Sequence, residues 1–555
     1  MKIIGLYNWH DGGYCVLEDG IVKEHIEFER YTRLKESGGN SLDYFEKIYG
    51  KENNLKISDI DYFVTPSPIT NLEKGGNSIF NTFEKISKDN IIEYSHHLCH
   101  ASHAFYSSNF NESLILTIDS AGLEKNGKAV STCAYIGTDK NIDKIFEIEN
   151  NTISLGSLWG RFTRFIFKLS TGYPRGHQAG SVMAMAALGN PDKYYQEFMS
   201  LATDKFDQVR YQPPGYKRGV YVPPDEDVTH PFLDKYRKIT EDKDSGDQEK
   251  YNMAASLQKV TEDILFNIIS QILDMADNKN VKLNNLCLAG GVSLNSVLTG
   301  KILEKFKGRI ENVFIPPVPY DGGLTIGACQ YHWHSVLGNE RIKDNFVSPY
   351  LGETYKKSSI TDAIAKNLNN IKITNNFTID MCADLLMDDK IVSIFQGRSE
   401  SGRRALGNRS IIANPASENM KDMINKKVKH RQWYRPFAPS LLEDHGAEWF
   451  QNYFPSPYMG FVFKFKSDKL GKAPAIEHLD GTARIQTVNK NQNEKYYNLI
   501  SSFYKKSKIP MVLNTSFNDR EPIVENPDDS IKCFLGTDID YLYFADHEIL
   551  VEKLK

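Results

Sequence analysis

The sequence predicts an α/β fold of more than one domain, and three observations carry that expectation. Short apolar runs end in polar or glycine-rich loops: Leu114–Ile118 stops at Asp119-Ser-Ala-Gly122, Leu286–Ala289 stops at Gly290-Gly291, and Val313–Ile315 leads through prolines to Asp321-Gly-Gly323. The last two loops each precede a helix-like segment. Strand, glycine loop, helix is the order by which an α/β protein turns backbone N–H groups toward an anion at a strand's carboxyl end. Third, 555 residues are too many for one ordinary core, and length suggests roughly two to four domains.

The elements follow in chain order. Ile3-Ile4-Gly5-Leu6 reads as a strand; Tyr14–Leu17, an Asp19-Gly20 turn and Ile21-Val22 read as a hairpin beside it. The stretch IEYSHHLCHASH, residues 92–103, holds four of the chain's 14 histidines. His96 and His100 are four apart, so a helix places them on one face. Such a pair is found in metal sites, but it is also compatible with a polar helix start facing solvent. The 201–250 segment, rich in Tyr, Pro, Asp and Lys, reads as a partly exposed insertion. The pattern breaks near Phe346–Glu353, which divides the chain into domains 1–345 and 346–555; in the second, Ile391–Phe395 runs directly into Gln396-Gly397-Arg398.

Composition narrows the class. The chain is 40% hydrophobic and 25% charged with formal net charge −4, which argues against bulk nucleic-acid binding and carries no membrane-surface signal. Seven scattered cysteines form no CxxC pair, as expected of reduced cytoplasmic thiols rather than a disulfide frame or zinc ribbon. The opening MKIIGLYNWHDGG has the features of neither a signal peptide nor a membrane span. A cytoplasmic protein is expected.

Two chemical constellations stand out. Asp119 ends one strand and Asp321 lies in the second glycine loop, so both carboxylates can meet His96 and His100 at one sheet edge; two His and two Asp suit a divalent transition metal with positions open to a substrate oxygen. Taken singly, each Asp also reads as a loop or cap residue. The loops Gly290–Asn295 and Asp321–Thr325 suit close approach of a phosphate to the backbone, although Gly-Gly is also simple turn chemistry. Further along lie GRSESGRRALGNRS (397–410), NKKVKHR (425–431) and YRPFAP (434–439). A charge run is usually a solvated face, but here cations alternate with glycines, prolines and apolar residues, which suits a loop-built oxyanion pocket for a small phosphorylated substrate. Arg484 and the LNTSFN stretch (513–518) add a guanidinium and hydroxyl and amide donors. No G-x-S-x-G elbow surrounds Ser516, which reads as a hydrogen-bond donor rather than a nucleophile.

The ordered set HDGGYCVLEDG, HHLCHASHA, TIDSAG, GHQAGSVMAMAALG, LAGGVSLN, PPVPYDGG, GRSESGRRALGNRSI, RQWYRPFAP, HLDGTARIQTV and LNTSFN resembles the NodU/CmcH family of O-carbamoyltransferases, from residue 3 to about residue 545. The resemblance implies an N-terminal actin-like ATPase (Kae1-like) domain followed by a YrdC-like α/β domain. It implies that carbamoyl phosphate and ATP, with Mg2+, give a carbamoyl-adenylate, whose carbamoyl group passes to a hydroxyl of a small molecule or sugar. Carried over by position, His96, His100, Asp119 and Asp321 are the metal ligands, commonly for Fe2+. Gly290, Gly291, Asn295, Gly322 and Gly323 fall where the adenylate is held, and Arg404, Lys429, Arg484 and Ser516 where carbamoyl phosphate binds. His10 occupies the family's His-Asp position, where an imidazole can remove the acceptor's proton; otherwise it is a turn histidine. The expected partners are these substrates alone, without nucleic acid or membrane, and a homodimer is compatible with them.

Two departures from the family pattern are present. Ala179-Gly-Ser181 replaces Glu-Gly-Lys, and Ser401 and Arg403 stand in Ser-Gly-Arg-Arg-Ala-Leu where Phe-Gly-Pro-Arg-Ala-Leu is common. The first lies near the expected nucleotide and acceptor region, so a changed acceptor is expected rather than lost chemistry. The alternatives are a Kae1-like tRNA-modification protein, which lacks the YrdC-like half, and a non-catalytic nucleotide-binding scaffold.

Overall fold

The computed structural model describes residues 1–66, 86, 90–125, 127–149, 153–171, 176–199, 208–209, 231–278, 283–343 and 347–554. Of the 201–250 segment expected to be a partly exposed insertion, residues 201–207 and 210–230 lie outside them, while Pro231–Thr240 and the start of Gly246–Asn278 are helical. Residues divide into two compact units, Met1–Phe28 with Lys35–Asn345, and Glu29–Leu34 with Phe346–Lys555. Six residues that a single cut near 346 would leave in the first domain therefore belong to the second unit.

The first unit contains one sheet topology twice. In the first sheet the strands lie in the order Ile21–Glu27, Gly13–Glu18, Lys2–Tyr7, Tyr62–Thr65 and Ile91–Glu93. The first three form an antiparallel meander and the other two join in parallel. In the second sheet the order is Asn141–Glu149, Ala129–Thr138, Glu112–Leu123, Asn285–Ala289 and Asn312–Phe314, again an antiparallel meander followed by two parallel additions. This duplication is the actin-like arrangement that the resemblance implies. Ile3, Ile4 and Leu6 are fully buried, as in Leu114–Leu116, because helices cover both faces and each run must be apolar on both sides.

The helices His96–Tyr106 and Leu324–Tyr331 pack against each other. Gly327 sets how closely, since a Cβ there would lie 1.9 Å from the Cys99 carbonyl oxygen. Phe105 and the small residues Ala101 and Ala104 turn inward from the first helix; burying the phenyl ring contributes about 2–3 kcal/mol. Asp321 begins the turn that leads into the second helix, so this contact brings it beside the histidines.

The second unit is built on an eight-stranded mixed sheet, in the order Ile371–Thr374, Ile549–Lys553, Tyr541–Phe544, Val392–Phe395, Arg409–Ala413, Met511–Ser516, Ala438–Leu442 and Gln486–Val488. The Val392 strand pairs in parallel with Tyr541–Phe544, and the Ala438 strand with Gln486–Val488; the other pairings are antiparallel. Helix Glu494–Ser507 covers one face with Tyr496, Leu499, Ile500 and Phe503. Asn493 caps it by accepting from the Tyr496 N–H, and it stops where Lys508 takes left-handed φ of 62°.

Candidate metal and anion sites

In the first unit, four ligand-type side chains converge. The helix presents His96 and His100 on one face. The Glu112–Leu123 strand runs further than the sequence pattern suggests, past Asp119 rather than stopping there. Its register shifts between Ile118 and Gly122, and this bulge turns Asp119 out of the pleat. His100 Nε2 lies 3.3 Å from Asp119 Oδ2 and 3.4 Å from Asp321 Oδ1; for His96 Nε2 the separations are 3.8 and 3.7 Å. The four ligand atoms lie within 4.8 Å of one another. Ligands about 2.1 Å from a shared cation stand roughly 3.0–3.4 Å apart, so the set has the dimensions of a small divalent site. The Nε2 atoms of His96 and His100 are buried with no hydrogen-bond partner, which also fits a cation.

Glycines let this cluster close. A Cβ at Gly122 would lie 2.2 Å from the His96 ring. Gly290, at φ 87°, passes so near Ile118 that a Cβ would meet its carbonyl oxygen at 2.1 Å. The Gly291 N–H donates to Asp119 Oδ2 at 3.2 Å, so this expected phosphate donor holds a carboxylate in the protein itself. Gly322 packs against Glu27, and its carbonyl oxygen lies 2.8 Å from His25 Nε2; Gly323 packs against Val318 and His103. Asn295 caps the helix Ser296–Thr299 through the Leu298 N–H, and its amide pairs with Gln258. For these five expected adenylate residues, the side chains and turns first serve packing and capping.

His10 is brought to the cluster, with Nε2 3.6 Å from Asp321 Oδ2 and Nδ1 3.4 Å from Asp11 Oδ2. It is half-exposed at its surface yet hemmed in by neighbouring atoms, and Asp11 takes a left-handed φ of 54° beside it. Burial disfavours the imidazolium, but the Asp11 hydrogen bond and the Asp321 charge prevail and raise His10 to about 9. His100 is likewise raised to about 9 against burial by Asp119 and Asp321. Burial would raise Asp119, but the His100 and His96 imidazoles beside it hold it well below the usual carboxylate range. The remaining histidines of the stretch are structural: His97 is held by Thr117 and the Val130 carbonyl, and His103 by Ser107.

Sequence reasoning missed Tyr7. Its phenol is buried near the Asp321 carboxylate; burial, then the charges of Asp321, Asp11 and Asp119, push it well above an ordinary tyrosine. The available signal was its place at the end of the first strand, directly before the His10-Asp11 turn.

In the second unit, a cationic cluster forms around Arg484. Burial, then Arg404 and Arg435, weigh against its charge, and burial, then Arg435 and Arg484, against that of Arg431. Among the described residues, Arg431, Arg435 and Arg484 make no ion pair with a carboxylate, and Arg484 Nε is buried without a hydrogen-bond partner. Arginine keeps its proton at any ordinary pH, so like charges held this close favour an anion. Arg431 and Arg435 were quoted within RQWYRPFAP but given no role; two arginines four apart were the signal. Lys429 and Ser516 are bonded to one another and to Asn518. The Lys429 ammonium donates to the carbonyl oxygens of Ser516 (2.5 Å) and Asn518 (2.7 Å) and to Asn518 Oδ1 (2.7 Å), while the Ser516 hydroxyl donates to Asn518 Oδ1 at 2.7 Å. Lys429 thus fastens the 516–518 turn.

With both sites in view, comparison with known proteins decides the family. The model of the carbamoyltransferase N-terminus matches residues 70–330, and that of the carbamoyltransferase C-terminus residues 383–553. The chain belongs to the carbamoyltransferase family. It is 31% identical to nodulation protein NolNO of Sinorhizobium fredii, over 97% of this chain and 79% of that one. It is 33% identical to nodulation protein NolO of Bradyrhizobium diazoefficiens, over 81% of this chain and 77% of that one. Among solved structures, full-length HypF in a phosphate- and nucleotide-bound form aligns with a TM-score of 0.34 and 16% identity, covering 60% of this chain and 55% of that one. No helix among the described residues is long and apolar enough to cross a membrane.

Proposed function

We propose that this carbamoyltransferase uses carbamoyl phosphate and ATP to carbamoylate a hydroxyl of a small molecule or sugar. The observation that carries this reading is the Arg404, Arg431, Arg435 and Arg484 cluster, cationic, drawn from two loops and the end of the Thr482–Arg484 strand, and without a carboxylate counterion on the last three. Guanidinium forks match phosphate oxygens, and several of them stabilise the charge that develops as phosphate leaves. Water adds to carbamoyl phosphate there, so that inorganic phosphate leaves and carbamate remains. The carbamate oxygen then attacks the α-phosphorus of ATP, forming the adenylate and expelling pyrophosphate.

In the first unit the acceptor oxygen attacks the carbamoyl carbon, and AMP leaves. His10 takes the hydroxyl proton, and the buried Tyr7 phenol lies near Asp321. His96, His100, Asp119 and Asp321 would hold one divalent ion, iron being the family's common choice, which would supply Lewis acidity toward a substrate oxygen and draw charge from Asp321. With less negative charge facing it from Asp321, His10 would sit nearer the neutral form a general base requires.

The test is pyrophosphate release from ATP with the acceptor omitted. Release that requires carbamoyl phosphate, with labelled carbamoyl groups reaching an alcohol only when the acceptor is added, is the expected result. Carbamoyl transfer with no ATP consumed would overturn the adenylate route.

A further inference from the structure

The six residues Glu29–Leu34 leave the unit that precedes and follows them in sequence and pack in the second. They contain a helical turn, Glu29–Thr32, and two arginines three apart. Arg30 is 3% exposed, and its Nη2 donates to the carbonyl oxygens of Glu400 (2.9 Å) and Gly402 (2.8 Å). Arg33 donates to the carbonyl oxygens of Ile523 (2.8 Å) and Pro522 (2.6 Å).

The loop that Arg30 grips is the one that presents Arg404. Inside it, Glu400 Oε1 accepts from the N–H groups of Leu406, Asn408 and Arg409 at 2.7, 2.8 and 3.2 Å, which closes the loop on itself. Gly402 has φ 93°, so its carbonyl oxygen points where few residues could send it, and Arg404 follows two residues later. The Arg33 contact lies beside Glu521, whose carbonyl oxygen accepts from Asn518, the residue fastened by Lys429. A guanidinium bonded to two carbonyl oxygens of one loop fixes its peptide planes in a way that a packed apolar side chain does not.

We propose that Arg30 is a positioning residue for carbamoyl phosphate binding: from the Glu29–Leu34 segment it fixes the Glu400–Gly402 backbone and so aims Arg404 at the phosphate, with Arg33 acting in the same way on the neighbouring loop. This rests on the reading of the arginine cluster as the carbamoyl phosphate pocket. Arg30 touches no substrate, and its effect appears in binding rather than in turnover.

The full-length protein is compared as Arg30→Met, Arg30→Lys, Arg33→Met and Arg484→Leu, with KM for carbamoyl phosphate and kcat measured separately and inorganic phosphate binding followed by calorimetry. Arg30→Met should raise KM and weaken phosphate binding about 10-fold with kcat changed by less than about 3-fold. Arg30→Lys, which keeps a cationic donor within reach of the carbonyls, should recover most of that loss. Arg33→Met, at a more exposed residue, should give a smaller shift of about 3-fold and provides the reading if Arg30→Met does not fold. A KM that rises with Arg484→Leu but not with the Arg30 or Arg33 variants overturns the positioning role and leaves the pocket standing. A fall in kcat alone, or Arg30→Lys behaving no better than Arg30→Met, also overturns it. If Arg484→Leu leaves KM unchanged, the pocket reading fails and this inference falls with it.

Discussion

The two candidate sites are built on opposite electrostatic plans. In the first unit, two imidazoles and two carboxylates meet around a point, and each charge has an opposite partner within 4 Å. In the second, guanidiniums gather with no carboxylate bound to Arg431, Arg435 or Arg484 among the described residues. A centre of mixed sign is close to self-neutral and takes a cation by replacing protons on its histidines. A centre of one sign stores repulsion that a dianion relieves. The first should therefore be sensitive to loss of a ligand in an all-or-none manner, and the second graded in the number of arginines.

The largest effect expected is at His100. His100→Ala removes the imidazole nearest both carboxylates, and transfer to the acceptor should fall on the order of a thousandfold with loss of bound metal by elemental analysis. Carbamoyl phosphate-dependent pyrophosphate release should survive, and its disappearance would show that the two plans are not separable. Chelation of the wild-type protein should reproduce the same split.

Gly122→Ala is the next test, because it touches no ligand atom. The added methyl must displace the His96 ring, and metal affinity should fall about 10- to 100-fold while the melting transition stays cooperative. Parental affinity in that variant would mean that the ring is free to move and the cluster is less constrained than its glycines imply.

At the arginine centre, Arg435→Leu should raise KM for carbamoyl phosphate about 10-fold, and a double variant with Arg484→Leu should lose more, in steps. A complete loss on the first substitution would contradict the graded behaviour. The smallest effect belongs to Asn295→Ala. Losing the cap and the Gln258 pair should destabilise the protein by about 1–2 kcal/mol in thermal unfolding, with the KM for ATP within about 2-fold of the parent. A large rise in that KM instead would restore Asn295 as a direct nucleotide contact.

The same contrast explains what could be read from the residues. The mixed-sign centre is made of local signals: a four-residue histidine spacing, one strand end and one glycine turn, each visible in a short window. Only the bulge that aims Asp119, and Tyr7, lay outside such windows. The cationic centre depends on loops far apart in sequence, and a run of basic residues does not say which members turn inward. Arg404 and Arg484 were legible there by resemblance, whereas Arg431 and Arg435 were not singled out. Nor does such a run show that Lys429 also donates to carbonyl oxygens of its own unit. Six of the ten strands of the duplicated sheet were legible as short apolar runs; Tyr62–Thr65, Ile91–Glu93, Ala129–Thr138 and Asn141–Glu149 were not, and pairing order is set by contacts that no local pattern contains.

The assignment of Glu29–Leu34 bears on heredity as much as on chemistry. A gene split near the codons for 344–346 would not yield two self-sufficient products, because the downstream piece would be missing a buried arginine and a helical turn that are encoded near the other end. Recombination between relatives has the same constraint: an exchanged C-terminal half would arrive in a host whose residues at 29–34 were selected against different loops. Chimeras that carry those six residues along with the C-terminal half should fold and turn over better than chimeras joined at a single crossover.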